Sequence, residues 1–216
     1  MDEKKPILAI ETSEKNCGVC LYFNPEKYFD FSFRLKNAHS EKIFELIDKL
    51  FQTADYSLQE IASIAVSSGP GSFTGLRIGM SASKGLAFGS SLPIIPVPTF
   101  EAMALQLCDV YPDGTFFSIA NKVNAEEAYY ARFQIKSNNY IFVEKLSIIR
   151  QSDLEKNNLV FGNAVNSNET NFVFAAPSAK YVAKWAEKSG DDLLTFNYDY
   201  LEPDYLKELI IKGIKK

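Results

Sequence analysis

An α/β fold of two similar lobes in tandem is predicted by three features of this 216-residue sequence. The apolar pattern reads as three short strands followed by alternating helices and strands, and that order approximately recurs in the second half. A glycine-rich stretch, "SSGPGSFTGLRIGMSASKGLAFG" from Ser67 to Gly89, joins a buried strand to a helix. The composition, 46% hydrophobic and 23% charged, is that of a chain that buries a core.

Strands are expected at Ile7–Glu11, Gly18–Phe23 and Tyr28–Leu35, each rich in β-branched or aromatic residues and bounded by polar turn residues. "HSEKIFELIDKLFQTA" reads as a helix, with Ser40 as N-cap and Ile43, Phe44, Ile47, Leu50 and Phe51 at helical spacing. A buried strand at Ile61–Ser67, the glycine turn, a helix to Phe88 and a strand at Ile94–Val97 complete the first run. A helix at Thr99–Cys108 precedes strands at Thr115–Asn121, Ala128–Ile135 and Tyr140–Ile149. A short helix near Ser152–Lys156, strands at Leu159–Gly162 and Phe172–Ala175, and a helix at Ser178–Lys188 follow. A last helix, Asp204–Ile214, follows "EP" with Leu206, Leu209, Ile210 and Ile214 on one stripe. This order describes a ribonuclease-H-like lobe, and two such lobes in tandem describe the actin-like ATPase superfamily, a likeness of fold that carries no activity. Residues 1–98 are expected to form the first lobe, completed by a helix over 203–216, and residues 99–202 the smaller C-terminal lobe.

The formal charge of −4 argues against a chain that holds nucleic acid by its overall field. The lysines of "KELIIKGIKK" read as a solvated basic end. The N-terminus has no signal-peptide pattern, and no apolar run approaches the roughly 20 residues that span a bilayer. Three cysteines, an odd count, point to a reducing compartment, so a cytoplasmic protein without membrane contact is expected.

With one histidine, His39, and Ile43 one turn beyond it, neither His-x-x-x-His nor His-Glu-x-x-His can be built, which argues against a metallopeptidase. Cys17-Gly-Val-Cys20 has redox or zinc spacing, but it lies in an expected strand where positions three apart face opposite ways. A buried structural pair is the reading. Ser72 or Ser68 has only His39 as a catalytic base, and nothing in the spacing recommends a triad. Glu126 and Glu127, adjacent on a strand, read as a solvated edge pair.

Nucleotide phosphate is the remaining chemistry. Gly69-Pro-Gly71-Ser-Phe-Thr-Gly75 lacks the Gly-Lys-Ser/Thr ending of a P-loop, and it does not fit the dinucleotide fingerprint. Backbone N–H groups of Ser72, Phe73 and Thr74 at a helix start remain anion donors in principle. Glu11, Thr12, Ser13, Gly69, Gly71 and Ser72 are therefore the candidate anion or nucleotide residues, with ATP or ADP as ligand and no cofactor required. Glu11 in a first hairpin without glycine crowds a phosphate, so ATP hydrolysis by this chain alone is not expected.

The same glycines have a second use. Gly75, Gly79, Ser83 and Ala87 recur every four residues, giving the helix a face of small side chains. Glycine costs a helix about 1 kcal/mol relative to Ala, so a close contact must offset it. That contact is either the chain's own sheet or preceding helix, or a helix of another subunit. In the preceding helix Leu46 widens the stripe of Ile43, Ile47 and Leu50, which adds apolar surface for a partner.

"ILAIETS", "SSGPGSFTGLRIGMSASKGLAFG", "PIIPVPTFEAMA" and "EPDYLKE" together resemble the TsaB (YeaZ) family, in order and over most of the chain. The Gly69–Gly79 segment is its most specific part. The resemblance implies a non-catalytic relative of TsaD, which transfers a threonylcarbamoyl group to the tRNA adenosine beside the anticodon. TsaD carries a metal-binding His-x-x-x-His where this chain has His39 and Ile43. The older glycoprotease label is therefore not expected to describe an activity here. The resemblance further implies pairing through the first two long helices, with TsaD or as a homodimer, with a TsaE-type ATPase joining and tRNA reached only through the complex. His39, Ile43, Leu46, Ile47, Leu50, Gly75, Arg77, Gly79, Met80 and Ser83 are the expected interface. Two departures stand out: Glu11-Thr12 replaces the family's Asp-Thr, and Lys122–Glu127 replaces its Asp-Ala-Arg region, keeping Glu127 and Tyr129.

Overall fold

The computed structural model describes residues 4–34, 39–154, 159–164 and 174–206. The first lobe is built on five strands: β1 (Ile7–Glu11), β2 (Cys17–Asn24), β3 (Lys27–Phe33), β4 (Ser63–Gly69) and β5 (Ile94–Pro98). They lie in the order β3-β2-β1-β4-β5, with β1 antiparallel to β2 and parallel to β4. Helices α1 (His39–Ala54) and α2 (Phe73–Ser90) cover one face. Helices α3 (Thr99–Cys108) and α4 (Ala179–Ser189) meet the other.

β1 is buried along its whole length because both faces are covered, which explains why its sequence is a continuous apolar run. Leu8 and Ile10 point to the α1/α2 side and Ile7 and Ala9 to the α3/α4 side, as strand alternation requires. Each large apolar side chain so buried contributes about 1.5–3 kcal/mol.

The second sheet runs β8-β7-β6-β9, formed by β6 (Phe116–Lys122), β7 (Glu127–Lys136), β8 (Asn139–Arg150) and β9 (Val160–Phe161). Its order matches that of the first sheet without a fifth strand. α3 lies between the sheets. Its Ala102 and Leu105 join α4 and the first sheet, while Phe100, Met103, Ala104 and Leu107 pack with Phe117, Ile119, Ala131 and Phe133 of the second. A helix buried nearly all round has no polar face to write, and α3 has almost none.

Polar contacts fasten the same junction. The Tyr140 hydroxyl donates to Glu101 Oε2 at 2.5 Å and accepts the Trp185 indole N–H at 2.8 Å, tying β8, α3 and α4 together. Burial, together with the Glu101 carboxylate, pushes the Tyr140 phenol up, so it stays a donor.

Strands and helices stand within two residues of the sequence expectation through Arg150, and β1 and α3 have the expected bounds. The short helix expected near Ser152 is a single 3₁₀ turn at Gln151–Asp153, as far as the described residues extend. Of the strand expected at Phe172–Ala175, only residues 174 and 175 are described, and they are not in a strand. The helix expected from Asp204 does not begin there: Asp204–Leu206 are irregular, with the Asp204 N–H donated to the Ser68 carbonyl at 2.7 Å. Residues 207–216, most of that expected helix, lie outside the described residues.

The Tyr140 bridge yields a prediction. Tyr140→Phe removes the O–H donated to Glu101 and the acceptor of the Trp185 N–H, and should lower stability by about 1–3 kcal/mol in urea unfolding followed by Trp fluorescence. An unchanged midpoint would mean that the bridge adds nothing to the junction.

Candidate functional site

β1, β4 and β5 are parallel neighbours, so the segments that leave their C-terminal ends meet on one edge of the sheet. There the residues after β1 and the glycine turn after β4 bind each other. The Ser72 N–H donates to the Ser13 carbonyl at 2.6 Å. Thr12 Oγ1 donates to the Gly75 carbonyl at 2.8 Å, and the Gly69 N–H donates to Thr99 Oγ1 at 3.2 Å. Ser72 caps α2 by accepting the Gly75 N–H at 3.2 Å. Among the candidate anion donors, the Ser72 N–H is thus committed to the first hairpin.

This approach is what the glycines serve. A Cβ on Gly71 would lie 2.6 Å from the Ser13 carbonyl oxygen. One on Gly75 would overlap the Thr12 carbonyl, and one on Gly79 would overlap Thr12 Oγ1. Ser83 is fully buried and donates to the Gly79 carbonyl at 2.8 Å, Ala87 is fully buried, and Met80 sits in the core beside Val66 and Ile10. The small-residue face therefore packs against its own lobe. Gly75, Gly79, Met80 and Ser83, expected at a subunit interface, are buried within the first lobe.

Glu11 is almost fully buried at the same edge. One carboxylate oxygen accepts both the N–H and the hydroxyl of Ser13 at 2.5 Å, and the other accepts the Ser67 hydroxyl. Burial raises its pKa to about 7 against the opposing hydrogen bonds of Ser13 and Ser67, and the charge of Glu14 adds to the rise. Glu14 is itself raised to about 7 by burial, opposed by its bond to Asn163. Thr12 and Ser13 have no exposed surface.

The outward side of the first lobe is different. Between α1 and α2 runs an apolar groove of about 490 Å³, lined among others by Ile43, Phe44, Phe73, Arg77, Ile78 and Ser81. Phe44 is 52% exposed and Phe73 36%, a large apolar area for a free surface. Of the expected interface residues, Arg77 and Ile43 line this groove. Ile43, Ile47 and Leu50 are buried in the core, with Leu46 partly buried against it. His39 opens α1, and its side chain lies outside the described residues. Phe44, Phe73 and Ile78 were not among the expected interface residues. The signal for Phe44 was its position beside the Ile43–Ile47–Leu50 stripe, off the line that faces the core.

Cys17 and Cys20 lie in the cores on opposite faces of the first sheet, and burial pushes the Cys17 thiol up to about 12 and the Cys20 thiol higher still. They are packed thiols. Among the described residues, no three His, Cys, Asp or Glu side chains gather as a metal site needs, and no helix is long and apolar enough to cross a membrane.

A protein of Haemophilus influenzae described as tRNA threonylcarbamoyladenosine biosynthesis protein TsaB is 27% identical over 93% of each chain. The Escherichia coli protein of the same description is 38% identical over 45% of this chain and 42% of its own. The chain is similar to the TsaB/YeaZ family. The YeaZ structure from Pseudomonas aeruginosa superposes with a TM-score of 0.77 over 94% of this chain and 100% of that one, at 19% identity, which fixes the two-lobed ribonuclease-H-like fold. Residues 34–116 also match the family model described as TsaD, tRNA N6-adenosine threonylcarbamoyltransferase. That span contains α1, α2 and hence the whole groove.

Two outcomes follow. Gly79→Ala should destabilise the isolated chain by about 1–3 kcal/mol in thermal or urea unfolding, although alanine is the better helix former. A neutral or stabilising effect would mean that the small face is free for a partner after all. The second outcome concerns pH. Glu11 and Glu14 have folded pKa values of about 7 against an ordinary 4.5, so the folded chain holds extra protons between those values. Their contribution is full below about pH 4.5 and is lost as pH rises through about 7. The unfolding midpoint should therefore fall between pH 5 and 8, and fall less in Glu11→Gln.

Proposed function

We propose that this chain is the non-catalytic subunit that activates a TsaD-type threonylcarbamoyltransferase in making threonylcarbamoyladenosine in tRNA. The observation that carries the reading is the outward apolar groove between α1 and α2, which lies inside the segment that resembles TsaD. A catalytic subunit with the same two helices would present a similar face. The two faces would then meet across a pseudo-twofold axis, as in an isologous dimer. The aromatic residues Phe44 and Phe73 are the kind of side chain that anchors such contacts. In the absence of a TsaD-type partner, a second copy of this chain would cover the same groove.

Among the described residues, no cluster of side chains at the β1/β4 edge is arranged for group transfer. Glu11, Thr12 and Ser13 are buried and spend their hydrogen bonds on the glycine turn and β4. Their role in this reading is to hold α2 in register, and through it the docking face. Transfer chemistry belongs to the TsaD-type subunit, a TsaE-type ATPase joins the pair, and tRNA is reached through the complex in the cytoplasm.

Reconstitution tests this directly. tRNA threonylcarbamoylation with TsaD-type and TsaE-type subunits and a supply of threonylcarbamoyl adenylate should be lost when this chain is omitted, and this chain alone should give none. Phe44→Asp and Ile78→Asp, at outward positions, should leave the unfolding midpoint nearly unchanged and weaken binding to the TsaD-type subunit by at least about tenfold. Activity that survives omission of this chain contradicts the proposal.

A further inference from the structure

The chain beyond the second lobe crosses back over the start of α2. The Asp204 N–H donates to the Ser68 carbonyl at 2.7 Å, and the Asp204 carbonyl lies against Gly69. Gly69 has φ of +125°, and a Cβ there would stand 2.7 Å from that oxygen, so a side chain is barred twice over. One residue on, the Tyr205 ring packs on Phe73 with centroids 5.1 Å apart. The Tyr205 hydroxyl accepts the Nε–H of Arg77 at 3.1 Å. The Arg77 guanidinium lies 3.8 Å from the Phe73 ring centroid and 5.8 Å from that of Tyr205. Two rings and a hydroxyl thus set the orientation of one guanidinium at the rim of the groove between α1 and α2.

Arginine has five N–H donors, and among the described residues only the Nε–H of Arg77 has an acceptor. The other four sit at a groove whose lining is otherwise mostly apolar. A partner that covers this groove strips water from them. A guanidinium desolvated without an acceptor is costly, so the covering surface must supply one. The planar fork of arginine matches a carboxylate, with two parallel N–H···O bonds.

We infer that Glu202–Leu206 is a strap that sets the docking face, and that Tyr205 is a positioning residue holding Arg77 for a carboxylate on the apolar helix surface of the partner. This rests on the functional reading above and adds to it a chemical requirement on the partner and a role for the C-terminal segment. Holding Arg77 in place before contact lowers the ordering cost of association, which is how a residue outside the groove affects affinity. Among the described residues, the strap is fastened to the glycine turn and α2 by the Asp204–Ser68 bond and the Tyr205 contacts with Phe73 and Arg77, so loss of the Tyr205 side chain releases Arg77 without dismantling the lobe.

The test is a double-mutant cycle on the full chain, measuring its affinity for the TsaD-type subunit by calorimetry, with the unfolding midpoint of each variant recorded. Tyr205→Ala and Arg77→Ala should each weaken binding by roughly tenfold, and the double variant should bind no more weakly than Arg77→Ala alone. Tyr205→Phe, which keeps the ring on Phe73, should lose less than Tyr205→Ala and secures the comparison if the alanine variant folds poorly. Arg77→Lys, which keeps the charge but not the fork, should bind nearly as weakly as Arg77→Ala. Unchanged affinity in Tyr205→Ala, or effects that multiply in the double variant, overturns the inference. A wild-type chain that does not bind the TsaD-type subunit overturns the functional reading itself.

Discussion

The contact between the Thr12–Ser13 backbone and the glycines at the start of α2 sets the geometry of the first lobe. The Ser13 carbonyl takes the Ser72 N–H, Thr12 Oγ1 reaches the Gly75 carbonyl, and neither approach leaves room for a Cβ on Gly71, Gly75 or Gly79. A helix brought this close to the end of β1 is fixed in both rotation and height. Its small side chains point into the lobe, and Phe73, Arg77 and Ile78 are consequently presented outward beside Phe44 of α1. The position of the groove is thus a consequence of an internal packing constraint.

The same edge explains the buried acid. In a hairpin with no glycine until Gly18, Glu11 folds back onto Ser13 and Ser67, which satisfies a carboxyl that burial would otherwise penalise heavily. The arrangement ties β1 to β4 just where both strands end. On the far side of the sheet, α3 is shared by the two lobes, and the Tyr140–Glu101–Trp185 chain fastens the junction. The lobe that carries the groove is therefore held from both faces.

Much of this was legible in the sequence, for a local reason. Strand alternation and helix periodicity are properties of short windows, so β1 and α3 stand at their expected bounds. The spacing of Gly75, Gly79, Ser83 and Ala87 also showed that something approaches α2 closely. It did not say what, because a four-residue repeat of small side chains looks the same whether the neighbour is a hairpin of the same lobe or a helix of another chain. Only the tertiary register that puts Thr12 against Gly79 decides that. The irregular path of Asp204–Leu206, where a helix was expected to begin, was hidden for a similar reason. The apolar stripe from Leu206 onward reads as a helix, while the bond from Asp204 to Ser68 spans most of the chain and leaves no local trace. Phe44 was visible as apolar, but its exposure depends on where the sheet lies relative to α1.

On the proposed reading, the outward groove, and not the glycine face, meets the TsaD-type partner. Hydroxyl-radical footprinting of the chain with and without that partner measures it side chain by side chain. Phe44, Phe73 and Ile78 should lose reactivity in the complex, while Phe116 and Phe142 of the second sheet, exposed in the isolated chain, should keep theirs. Protection confined to the second sheet, with Phe44 and Phe73 unchanged, would contradict the account.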